Sequence, residues 1–311
     1  NTLKKNHTII HLNPIKNYNE YGFNSCIDKL NLPSCLKLPR QCRIGIDSKS
    51  QKLLHECLEE NNGYETNNVI SVQLEIDTVH QKLISLTQLN QYQGRTHVVV
   101  NDLQNINEIK HHYENIDTII DLAGISNLEA DWNQIYSNNI PVTYNSFEAA
   151  KQNKVTRIIY ASSNHVTGLY EFETPYSDII AGNYHKVDVS KLKHINSTFK
   201  IKPDSPYGIG KSFGESVGKY YSEKFGISVI CLRIGTVNKY NKPMDIRQFS
   251  TLLTHNDLIQ LVSKSIDAKS EVKYEVFYGV SNNKWRIWDL AESASKISYE
   301  PTESTEVHRD N

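Results

Sequence analysis

The feature that most constrains this chain is an alternation of short apolar runs, rich in β-branched residues, with stretches of helical spacing. The runs are VISVQLEI (69–76), HVVVNDL (97–103), DTIIDL (117–122), TRIIYAS (156–162) and SVICLRIG (228–235), with another at 274–280. Runs of Val and Ile with few polar interruptions suit strands covered on both faces. Among them, Tyr144 to Lys151, Tyr207 to Lys224, 256–267 and 289–298 carry helical spacing, the second bounded by Pro206 and Gly226. Strands alternating with helices predict a parallel sheet layered by helices.

This pattern predicts a doubly wound, Rossmann-like α/β fold with a small C-terminal substrate-binding part. Upstream, CRIGI (42–46) reads as strand or turn and SQKLLHECLEE as helix, with Leu53, Leu54, Cys57 and Leu58 at helical spacing. Residues 1–40, rich in Asn, Lys and Pro, show no sustained period, and no element is assigned there. The expected division is therefore an unassigned segment 1–40, a dinucleotide-binding core 41–235 that includes the catalytic helix, and C-terminal elements 236–311. The polar tail from Pro301 is expected to fray. The chain opens on Asn1 in place of methionine, as a fragment or processed product would.

Charge narrows the partners. With 34 basic and 35 acidic residues the formal charge is -1, so neither nucleic acid nor an anionic membrane is expected to bind. No apolar run approaches the ~20 residues of a membrane span, and no leader is recognised, so a soluble, cytoplasmic protein is expected. Five cysteines form no CxxC pair, and Cys26, Cys35, Cys42 and Cys57 lack histidines at zinc-site spacing. Free thiols and no metal are expected.

The chemistry lies in four pieces at the carboxyl ends of successive predicted strands: DLAGIS (121–126), YASSNHVTG (160–168), SPYGIGKSFGE (205–215) and LRIGT (232–236). Open α/β sheets bind ligands at those ends. Tyr207 and Lys211, four residues apart, share one helix face. An ammonium beside a phenol favours the phenolate and lowers the phenol toward the range of a general base. A Ser163 hydroxyl bonded to the same substrate oxygen would complete the catalytic set, and Lys211 would also reach a cofactor ribose. A second such pair, Tyr220 and Lys224, lies at the far end of the helix and is read as packing or surface. His80 is read as structural, whereas His165 follows Ser163 directly, and substrate bonding and a structural role stand equally. For Arg247 a surface role stands level with a carboxylate clamp, since a guanidinium fork matches a carboxylate with two parallel bonds.

At these residues the chain resembles the extended short-chain dehydrogenase/reductase (NAD-dependent epimerase/dehydratase) family, and within it is most similar to the uronate dehydrogenases. The resemblance rests on YASSNHVTG, PDSPYGIGKSFGE, VICLRIGT, IRQFSTLLTHNDLIQLV and FYGVSNNKWRIWDL, and spans residues 96 to 308. It implies Ser163, Tyr207 and Lys211 as catalytic residues. It implies sugar contacts at Ser126, Ser163, Asn164, His165 and Thr236, with Arg247 on a uronate carboxylate. Cofactor contacts implied are Asp102 and Leu103 near adenine, Leu122, Ala123 and Gly124 by the phosphates and ribose, Asn139, and Ile234 near the nicotinamide. The implied reaction is oxidation of a hexuronate at C1 to its lactone with NAD, or NADP, as acceptor. A nucleotide-sugar epimerase or dehydratase, or a non-catalytic sugar- or nucleotide-binding protein, are the alternatives. By analogy with the family a homo-oligomer is expected.

The chain departs from the family in its phosphate loop. No GxxGxxG occurs, although such glycines let a helix amino terminus approach a pyrophosphate. Either Gly45 is the last loop glycine, with Pro39 and Cys42 where earlier glycines would stand, or CRIGI is itself the first strand. Asp77 is the best candidate for the adenine ribose. The stretch from Tyr170 to Lys202 is longer than the family uses and is expected to be an inserted loop over the pocket.

Overall fold

The computed structural model describes residues 103–309 together with three strands upstream of them. The strands are β1 (Thr8–His11), β2 (Val69–Ser71), β3 (His97–Val99), β4 (Thr118–Asp121), β5 (Arg157–Ser163), β6 (Ser228–Ile234) and β7 (Tyr274–Gly279). The α-helices are α1 (Ile106–Ile109), α2 (Trp132–Gln152), α3 (Tyr176–Ile180), α4 (Pro206–Phe225), α5 (Gln248–Thr251), α6 (His255–Ile266) and α7 (Ala291–Ile297). They fall into two compact units, residues 1–125 with 141–155, and residues 126–140 with 156–311.

In the first unit the strands run β3-β2-β1-β4, all parallel, with Thr8–His11 set against Thr118–Asp121. Strand order reverses at β1, so the carboxyl ends of β1 and β4 flank a topological switch point, where doubly wound sheets bind nucleotides. Every residue of β4 is buried, as its TIID run predicts. Gly124 follows at φ 117, backbone that side chains rarely adopt and that glycine takes without strain. The Tyr113 hydroxyl donates to Ser146 Oγ at 3.2 Å and Asn145 Nδ2 to the Leu103 carbonyl at 3.1 Å, fixing the C-terminal half of α2.

The first strand corrects the reading of residues 1–40. Thr8–His11 is the strand between β2 and β4, inside the segment to which no element was assigned and upstream of CRIGI. Four residues among Asn and Lys are too short to show a period of their own. CRIGI and the SQKLLHECLEE helix lie outside the described residues, as do Gly45, Asp77, His80 and Asp102.

The second unit holds β5-β6-β7, again parallel, with Arg157–Ser163 in register with Ser228–Ile234. β6 is buried along nearly its whole length, as its apolar text requires. The helix α4 starts on a Ser205 cap whose Oγ accepts from the Gly208 N–H at 3.1 Å, carries Pro206 in its first turn, and ends on Gly226 at φ 75. Its glycines at 210, 214 and 218 form one stripe. A Cβ at Gly214 would lie 2.2 Å from the Tyr160 ring, so only glycine lets this helix lie so close to β5.

Between helix and strands sits a buried ion pair. Arg233 donates to Glu215 through Nε (2.9 Å) and Nη2 (2.8 Å), and both side chains are only 3% exposed. Ser162 Oγ donates to the same carboxylate at 2.6 Å. From Arg233 the bonds continue through Nη1 to the Tyr278 hydroxyl (2.9 Å), on to Thr167 Oγ1 (2.9 Å) and to the Asn164 carbonyl (3.2 Å). Every charge there is matched, as a buried pair requires.

The Tyr170 to Lys202 stretch is not a bare loop. It carries α3 and 3-10 turns, and Tyr176, Ile179 and Ile195 join Tyr278, Val280, Ile287 and Trp288 in a core cluster of their own. The apolar residues were spaced too irregularly to show a helix, yet their burial ties the segment down. The tail is likewise held: Asp257 accepts from the Thr302 and Glu303 amides, and the Thr305 hydroxyl donates to the Phe249 carbonyl at 2.8 Å. Among the described residues no cluster could hold a metal ion, no helix is long and apolar enough to cross a membrane, and Cys231 is a buried free thiol.

Candidate active site

Ser163 is the last residue of β5 and Tyr207 the second of α4, so strand end and helix start deliver the two hydroxyls to one place. Both side chains are buried, the Ser163 hydroxyl lies close enough to act on the Tyr207 phenol, and Ser163 Oγ donates to Asn164 Oδ1 at 3.5 Å. Lys211 lies one turn further along α4, its Nζ 5.8 Å from the Tyr207 ring centre and donating to the Ala161 carbonyl at 2.7 Å. The three residues expected to act together are thus brought together.

The phenol departs from expectation in one respect. Burial lifts Tyr207 above its ordinary value, and the nearby Ser163 hydroxyl pulls it back only in part. The ammonium was expected to lower it. Instead, withdrawal from water dominates while Nζ bonds a backbone carbonyl.

His165 is the second residue of the 3-10 segment Asn164–Phe172, which is capped by Ser163, whose Oγ accepts from the His165 amide at 3.3 Å. Its Nδ1 lies 2.7 Å from Asp204 Oδ2, and its ring meets that of Tyr207 edge-on at 6.0 Å. An ionised carboxylate only accepts, so Nδ1 carries the proton. Burial pushes the Asp204 carboxyl up, but the His165 bond and charge, with the Ser205 hydroxyl, outweigh it and leave the group lowered. Tyr220, by contrast, is exposed and packs on Tyr221 and Phe225.

Arg247 is the largest surprise. Its fork is engaged by Glu171, with Nε to Oε2 at 2.6 Å and Nη2 to Oε1 at 2.7 Å. Nη1 turns to Thr236 Oγ1 at 3.2 Å, and Thr236 bonds Thr251 at 2.8 Å. Asn164 Nδ2 donates to Glu171 Oε1 at 3.3 Å, joining this group to the Ser163 side of the site. The sequence reading had no place for Glu171. Its signal was slight: a carboxylate eight positions after Ser163 on the strand-to-loop segment that also carries Asn164 and His165.

The remaining expected contacts are more dispersed. Ile234, half-buried, ends β6, and Asn139 is buried beside Gly210 of α4. Ser126 is exposed and takes part in none of the bonds above. In the first unit Leu103 is wholly buried as a core side chain, while Leu122, Ala123 and Gly124 follow β4 at the switch point, where the Ala123 amide donates to Asp121 Oδ1 at 3.1 Å.

The described residues fit a nicotinamide dinucleotide in two respects. A positive-φ glycine follows β4 at the switch point, and a lysine lies below a buried tyrosine and serine at a strand end. Parallel strands with this Ser-Tyr-Lys set define an NAD-dependent, short-chain-dehydrogenase-like enzyme. Residues 62–254 match the NAD dependent epimerase/dehydratase family, and the chain belongs to it. Uronate dehydrogenase of Pseudomonas syringae pv. tomato is 33% identical over 212 residues, 68% of this chain and 68% of that protein. L-arabinose 1-dehydrogenase (NAD(P)(+)) of Haloferax volcanii is 29% identical over 217 residues, 67% of this chain and 82% of that protein. The solved structure of a mutated uronate dehydrogenase superposes with a TM-score of 0.64 at 25% identity, covering 98% of this chain and 84% of that one.

Proposed function

We propose that this chain is an NAD-dependent sugar dehydrogenase that oxidises a cyclic sugar at C1 to its lactone. The observation that carries the reading is the convergence of Ser163, at the end of β5, and Tyr207, at the start of α4, with the Lys211 Nζ 5.8 Å from the Tyr207 ring centre. Ser163 holds the anomeric hydroxyl by a hydrogen bond. Tyr207, as phenolate, takes its proton, and the Lys211 ammonium steadies the charge that the phenol gives up. NAD, when bound, supplies the acceptor for the hydride; Lys211, Asn139 and Ile234 are the described residues of the second unit that would hold it. In balance, the C1–H and O–H bonds break and the C1=O bond forms, so that sugar and NAD yield lactone, NADH and a proton.

The sequence resemblance names a hexuronate as substrate with Arg247 on its carboxylate, and the name of the Pseudomonas syringae relative supports that class. One observation favours a second class, an uncharged aldose: the Arg247 fork already holds a carboxylate of this chain.

The test is NADH formation by the purified full chain on a panel of glucuronate, galacturonate, glucose, galactose and arabinose. Tyr207→Phe should lower the rate by roughly 10²–10⁴, the usual worth of a general base. A folded protein that forms no NADH with any of these sugars would remove the dehydrogenase reading.

A further inference from the structure

Resting on the dehydrogenase reading, we infer that Glu171 is a resident carboxylate that sets substrate choice, closing the Arg247 subsite to uronates and making this a site for uncharged aldoses. A guanidinium recognises a carboxylate through two parallel N–H bonds from one edge. The Nε/Nη2 edge of Arg247 is spent on Glu171 at 2.6 and 2.7 Å, and Nη1 is turned to Thr236 and, at 3.5 Å, to Thr251. Glu171 is itself 9% exposed and anchored by Asn164, so displacing it would strip a buried carboxylate of its counter-charge.

The surrounding charge argues the same way. Glu171, Asp245 and Asp204 all bear on Arg247, and Asp204 is shared with His165. Three carboxylates against one guanidinium and one imidazole leave no unmatched positive charge in this group for an arriving anion. A like charge brought into such a site is repelled. A hydroxymethyl group or hydrogen at the same place on the sugar meets no such opposition. Ser163, Tyr207 and Lys211 perform the same oxidation whichever group stands at C5.

The test uses matched pairs, glucose against glucuronate and galactose against galacturonate, which differ only in the C6 group. The unmodified chain should favour the uncharged member at least tenfold in kcat/KM. Glu171→Gln keeps the shape, removes the charge and frees the fork, and should move the ratio at least tenfold toward the uronate. Should that variant fold poorly, the preference of the unmodified chain still decides. Preference of the unmodified chain for the uronate of either pair, or an unmoved ratio in a folded Glu171→Gln, would overturn the inference. If no sugar is turned over, the dehydrogenase reading fails. Calorimetric titration of the same pairs then tests Glu171 separately: tighter binding of the uncharged member supports its role, and tighter binding of the uronate overturns it.

Discussion

Consider Glu215→Ala, which removes the counter-ion of a guanidinium buried between α4 and β6. Glu215 accepts three bonds, from Arg233 Nε at 2.9 Å, Arg233 Nη2 at 2.8 Å and Ser162 Oγ at 2.6 Å, and neither charged side chain is more than 3% exposed. Truncation leaves Arg233 charged, out of water and with the Tyr278 hydroxyl alone on its Nη1 side. Breaking a buried pair by removing one partner costs about 3–5 kcal/mol. For a domain of this size each kcal/mol shifts Tm by roughly 2–4 °C, so calorimetry should find the midpoint lower by roughly 6–20 °C. Because the loss comes from the stranded charge, Glu215→Leu combined with Arg233→Met should be far less harmful than Glu215→Ala alone. A single variant within about 1 kcal/mol of the parent, against the expected 3–5, or a double variant worse than the single, would refute the reasoning.

Two further outcomes follow from the geometry. Gly214→Ala places a methyl 2.2 Å from the buried Tyr160 ring, and overpacking of about 1–3 kcal/mol should outweigh the ~1 kcal/mol gain in helix propensity, seen as a lower chemical-denaturation midpoint. Asp204→Asn should cost about 1 kcal/mol near neutral pH, since Asp204 is held below its ordinary value by His165. A lowered carboxyl stabilises above its unfolded pKa of about 3.9 and loses that contribution as pH falls through the folded value, so the gap between the two proteins should close in urea titrations as the pH is taken down through that lowered value.

Much of the second unit was legible because its signals are local. The apolar run 228–235 has nowhere to go but a strand covered on both faces, and Pro206 with Gly226 bracket a helix whose glycine stripe already implies close packing. Ser163, Tyr207 and Lys211 followed from strand ends and a four-residue spacing. What escaped the reading is non-local. Glu171 and Arg247 are 76 positions apart, and nothing in either neighbourhood announces the other. The upward shift of Tyr207 reflects burial by the whole unit, which outweighs the single charge visible in the text. β1 was missed because TIIH is a strand chiefly by virtue of the neighbours on either side of it.

That strand works as a keystone. A chain shortened to begin at residue 41 would keep the serine, the tyrosine and the lysine, yet β2 and β4 would each lose the partner between them. Two bare rows of amide and carbonyl groups would then face outward, and such rows recruit other chains. Trimming the polar opening as dispensable would thus be expected to give clumping before any loss of chemistry could be measured.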